Sequence, residues 1–166
     1  MSRLRSTTLI LILVLVAATA LAGDPGTWFD LENCGMCKNL LVDQELFQAM
    51  TWETHVLTNG LLEVTTYPDG YAERHDALMA SMEAAGQKMM AGESMPMCNM
   101  CMSYGGMMMA GADMDHVTTE SGMVTVITSQ DPKVVAMIKD HADTTIKAYD
   151  MMIAGAESGN DHGHQH

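Results

Sequence analysis

Along this chain the hydrophobic spacing switches between helical and strand periods in an order that occurs twice. After Cys34, apolar residues at Leu40, Leu41, Leu46, Phe47 and Met50 recur at helical spacing, with Asn33 as a candidate N-cap. Trp52 to Leu57 and Leu61 to Tyr67 have strand character, and Thr58, Asn59 and Gly60 between them form the tight-turn signal of a hairpin. In the second strand Leu62, Val64 and Thr66 share one side, which is the expected core face. Pro68, Asp69 and Gly70 break that strand, and Asp69 is expected to cap a helix running to Ala91. The seam of this helix is Tyr71, His75, Leu78, Met82, Ala85 and Met89, and Gly92 stops it.

The order then recurs. A short helix is expected from Cys98 towards Ala110, weakened by Gly105 and Gly106. Strands follow at Met114 to Thr119 and Met123 to Ser129, joined through Glu120, Ser121 and Gly122. Asp131 and Pro132 open a last helix with apolar positions Val135, Ile138, Ala142, Ile146, Tyr149 and Ile153. At a constant offset of 62, Gly60 falls on Gly122, Leu62 on Val124, Val64 on Val126, Thr66 on Thr128 and Asp69 on Asp131. The expected fold is therefore α+β. It is a tandem duplication of a Cys-x-x-Cys–helix, β-hairpin, helix unit (about 34–92 and 98–154), forming a four-stranded antiparallel sheet with helices on one face.

The ends of the chain read differently from its middle. Arg3 and Arg5, the apolar run from Leu9 to Ala18, and small Ala20 and Ala22 make residues 1–22 a secretory signal peptide cut after Ala22. The product is then periplasmic or secreted and not embedded in the membrane. Residues 23–154 form a single domain, and 155–166 a disordered tail carrying His162, His164 and His166. The net charge of −13 repels phosphate backbones, which argues against nucleic acid as a partner and favours cations.

Chemistry concentrates in sulfur. The chain has four cysteines, in two pairs of the same spacing, Cys34 with Cys37 and Cys98 with Cys101. Two residues between cysteines let both sulfurs face one ion, and two such pairs complete a four-thiolate site. Cys34 and Cys98 each lie at or near an expected helix start, where the dipole favours thiolate. The stretch Met89 to Met114 also holds ten of the 19 methionines. Within it, Met97 and Met100 interleave with the thiols as candidate auxiliary ligands, because thioether beside thiolate is a Cu(I) donor set. Met79, Met82, Met89, Met137 and Met152 are read instead as core packing.

The cofactor expected is thus Cu(I) or Zn(II), held by Cys34, Cys37, Cys98, Cys101, Met97 and Met100. His75 with Met79, and Met137 with His141, both at i and i+4, offer a further His–Met pair on each second helix. Without metal, His75 reads as a partly buried seam residue and His141 as a solvated one. Three readings stay open: a module that holds or passes a soft metal, with another envelope protein as candidate partner; a disulfide-stapled structural or interaction domain, since exported cysteines commonly pair; and a thiol–disulfide redox protein. Haem attachment is disfavoured because Lys38 and Met102, not histidine, follow the pairs. No nucleophile elbow, phosphate loop or zinc-protease motif occurs, so no catalytic residues are assigned.

Overall fold

The computed structural model describes residues 28–159, with side chains as far as Met152. The expected signal segment 1–22, its expected cut after Ala22 and the tail histidines lie outside the described residues, as does the side chain of Ile153. A 3-10 helix at Cys37–Leu41 leads into α1 (Gln44–Ala49), β1 (Thr51–Leu57), β2 (Gly60–Thr66) and α2 (Ala72–Met90). Then come α3 (Asn99–Met109), β3 (Asp113–Thr119), β4 (Gly122–Thr128) and α4 (Pro132–Gly159).

The strands form one antiparallel sheet in the order β1-β2-β4-β3, so the fold is α+β as expected. Each hairpin pairs locally, and the two join through β2 and β4, where Gly60 opposes Thr128 and Thr66 opposes Gly122. Glu63 faces Thr125, its counterpart 62 positions on, which gives the register a local two-fold axis. The helices do not repeat so closely. α2 has 19 residues against 28 in α4, and the 3-10 helix plus α1 stand where the second half has the single 11-residue α3.

The core face is the opposite of the one expected. Leu61 and Ile127 are fully buried, while Leu62 and Val64 are half-buried and Thr66 is exposed. Both faces of β2 carry apolar residues, and Glu63 made the true core face look polar. α4 covers that face, packing Val134, Ile138 and Ala142 with Leu61, Ile127, Met107 and Ala112. Its buried stripe is also turned from the expected one. His141 and Thr145 lie in it, and Val135, Ile146 and Tyr149 are half-buried at its margin. A second cluster joins Leu46, Met50, Tyr67 and Leu78, flanked by Leu40, Trp52, Tyr71 and Met82, so α1 and α2 close one end of the sheet.

Several expected helix starts move. Asn33 caps nothing; its side chain and backbone amide are both bound to the Asp30 carboxylate. Cys34 lies before the 3-10 helix, whose own N-cap is Met36. The single helix expected after Cys34 is split because Asp43 restarts it, accepting from the Leu46 amide at 3.0 Å. Arg74 on α2 donates to that same carboxylate (2.7 Å) and to Glu45 (3.1 Å), fastening α1 to α2. The N-cap of α2 is Tyr71, without side-chain capping, rather than Asp69. Its last turn projects, leaving the expected seam residue Met89 exposed. Three stops and starts hold as expected. Gly92 ends α2 at φ +87°, Cys98 is the N-cap of α3, and Asp131 accepts from the Lys133 amide at the start of α4.

The solvated reading of His141 is overturned: it is buried, its ring tilted against Trp28 at 5.4 Å and edge-on to Tyr104 at 5.9 Å, with Nδ1 3.0 Å from Ser103 Oγ. Burial depresses its pKa to about 4. Between the ordinary value of about 6.5 and this one, the unfolded chain takes a proton that the folded chain refuses. Folding stability should therefore fall as pH drops through that window, by at most about 3 kcal/mol, and change no further through this group below it. Burial shifts His75 in the same direction, adding to the loss. Urea titrations of metal-free protein across that pH range check this, and His141→Asn should flatten the slope. No helix among the described residues is long and apolar enough to cross a membrane.

Candidate metal centre

The two Cys-x-x-Cys pairs, far apart in sequence, meet. All four Sγ atoms lie within 4.8 Å of one another, and among the described residues this is the one group of three or more Cys, His, Asp or Glu so placed. Sulfurs of the two pairs approach one another closely: Cys37 to Cys101 at 3.4 Å, Cys37 to Cys98 at 3.5 Å and Cys34 to Cys101 at 3.7 Å. Four thiolates around a tetrahedral ion with bonds of about 2.3 Å would stand about 3.8 Å apart, close to this spacing. All four cysteines are free, and three are buried, Cys101 being the half-exposed member.

Local hydrogen bonds shape each half of the site. In the first, the Asp30 carboxylate accepts from the amides of Glu32 (3.2 Å) and Asn33 (2.8 Å), and the Cys34 amide donates to the Asp30 carbonyl. The Cys37 amide then points back at Cys34 Sγ (3.5 Å). In the second, Cys98 sits at the start of α3 and Cys101 one turn on, with the Met102 amide bonded to the Cys98 carbonyl. Two backbone bonds fasten the halves together, Gly35 N–H to Pro96 O at 2.7 Å and Met100 N–H to Trp28 O at 3.1 Å. Gly35 permits that contact, since a Cβ there would lie 2.6 Å from Met95 Sδ. Trp28 in turn donates from Nε1 to Thr145 on α4, which ties the centre to the core.

The electrostatics are those of a site short of positive charge. Burial alone would raise the Cys34 thiol, but the amides of Cys37, Cys98 and Met36 outweigh it and bring it down to about 7. Cys37 is pushed strongly up, first by its hydrogen bond with Cys101 and then by burial. Cys98 is raised too, chiefly by burial. Sulfurs this close cannot all ionise unaided, and a cation among them reverses that balance.

Met97 and Met100 are packed against the cysteine cluster, as are Leu31 and Met36. His75 and His141 lie elsewhere. His75 packs on Tyr67, with ring centroids 4.6 Å apart and both ring nitrogens unpartnered; His141 stands in the Trp28–Tyr104 pocket with Nε2 unpartnered. The contributions of Asp30, Gly35 and Trp28 are not visible as motifs. Only their nearness in sequence to Cys34 marks them. Glu63 was likewise missed; it lies on the core face with its pKa raised by burial, and Tyr104 and Tyr149 are raised chiefly by their own burial and secondly by the charge of Glu63. Comparison of the chain with known families, with curated proteins and with solved structures finds no match.

Proposed function

We propose that this chain is an exported metal-binding module holding one soft metal ion between its two Cys-x-x-Cys loops, Zn(II) ahead of Cu(I). The convergence of four free sulfurs within 4.8 Å carries this reading. Their spacing suits a tetrahedral ion, which favours Zn(II). The thioethers of Met97 and Met100 beside them are what keep Cu(I) in view. With Cys34 and Cys37 each 1% exposed, the site is closed on three sides. Cys101 is the edge at which an ion enters or at which an envelope partner exchanges it. The acidic surface attracts cations to that edge. The matching hairpins suggest that the two halves descend from one duplicated unit, with a cysteine pair retained in each.

Titration of reduced protein with Zn(II) or Cu(I), followed by native mass spectrometry, should show one ion retained per chain. Cys98→Ser should weaken that retention by at least about tenfold, since loss of a primary ligand exceeds the tenfold to hundredfold cost of supporting changes. Protein that retains no metal, with both cysteine pairs oxidised as isolated, would favour the disulfide-stapled domain and remove this proposal.

A further inference from the structure

We propose that the sheet face turned away from α4 is the contact surface of a homodimer. Among the described residues, α4 packs on the Leu61–Ile127 side. On the other side Leu62, Val64, Val124 and Val126 form a half-buried apolar centre, and Val117 beside them is 61% exposed. Val117, Val124, Val126 and Thr128 line a shallow concavity there, rimmed by Asp113 and Asp115. Among the described residues no element covers this face.

The register determines what this face can pair with. One row across the sheet reads His55, Leu62, Val126, Asp115, and the next reads Glu53, Val64, Val124, Val117. Consider a second copy stacked face to face, related by a two-fold axis parallel to the strands between β2 and β4. Each row then meets its own reverse. Leu62 lies over Val126 of the partner subunit, and His55 lies over Asp115 of the partner subunit, at both edges. The alternative axis, across the strands, would bring the acidic β3 strands of both copies to one edge. Stacked sheets cross at about −30°, which displaces the edge positions by about 4 Å, less than the spacing between rows.

The surface sets the strength. Four seven-residue strands, at spacings of about 4.8 Å and about 3.3 Å per residue, present roughly 450 Å² per copy. The roughly 900 Å² total lies near the lower limit of specific interfaces, so the dimer is weak and depends on concentration. Hydrogen bonding at the edges sets its orientation: the His55 ring, also 3.1 Å from Glu53 on its own strand, offers a partner to the Asp115 carboxylate on the opposite edge.

Sedimentation equilibrium of the purified chain over a wide concentration range tests this. The expected mass rises from one chain towards two. Val124→Asp, at the centre of the face, should abolish the rise with the circular dichroism unchanged. His55→Glu, at an exposed position, should weaken association at least about tenfold by setting acid against acid, and adding Asp115→Lys should restore it. A single-chain mass throughout overturns the proposal, whether the face stays bare or is covered by the chain's own residues 1–27. So does a dimer indifferent to both Val124→Asp and the charge pair. Metal retention is read separately, so this result stands apart from that of the metal site.

Discussion

Stripping Zn(II) with a chelator from reduced protein first loaded with it should lower the thermal midpoint by about 10–15 °C. An ion present at a thousand times its dissociation constant stabilises the folded state by about 4 kcal/mol, and for a domain near this size each kcal/mol shifts the midpoint by roughly 2–4 °C. The loss should be local before it is global. Residues 28–41 are tied to the segment from Pro96 to Cys101 by the four sulfurs and by the Gly35–Pro96 and Met100–Trp28 backbone bonds, whereas the Leu61–Ile127 core contains none of them. Hydrogen exchange should therefore open Trp28 to Leu41 first, and the β2–β4 amides last. Circular dichroism melts with and without chelator measure the shift. An unchanged midpoint in protein shown to have carried metal would mean that the ion does not brace the fold.

The parts of this architecture legible in the sequence were those set by local chemistry. Asp131 at the start of α4 and Gly92 at the end of α2 sit where their backbone preferences place them, and Asn59-Gly60 marked the first turn although Gly60 is the first residue of β2 and neither takes a positive φ. The four-strand sheet follows from two hairpins that cannot stand alone. Phase was harder to read than period. β2 is apolar on both sides, so alternation located the strand but not its buried face, and Glu63 under α4 was hidden by the same ambiguity. Burial of His141 was equally invisible, because nothing local tells that Trp28, more than a hundred residues earlier, will pack against it. At the candidate metal centre the four cysteines were legible as spacing. The bonds that bring them together, Gly35 to Pro96 and Met100 to Trp28, join backbone groups and leave no signature in side-chain type.

Those two loops converge because the hairpins share one sheet, so the centre depends on how β2 meets β4. Gly60 and Gly122 occupy equivalent ends of that pairing. A Cβ at Gly60 would lie 1.9 Å from the Ile127 carbonyl oxygen, and one at Gly122 would lie 2.0 Å from that of Thr65. Neither contact involves the movable end of a side chain; both are with the backbone of the facing strand. The strand itself must shift, at the row where the two hairpins join. Overpacking ordinarily costs about 1–3 kcal/mol, and a clash with paired backbone belongs at or above the top of that range. Gly60→Ala and Gly122→Ala should each destabilise the fold by about 3 kcal/mol or more, and by similar amounts, because the register relates them by its local two-fold. By contrast Gly86→Ala, with open space around its Cβ, should be neutral or slightly stabilising within α2. Denaturant unfolding of the three variants decides it. If Gly60→Ala and Gly122→Ala differed widely, or both matched Gly86→Ala, the symmetric β2–β4 joint could not be the element that sets the two halves together.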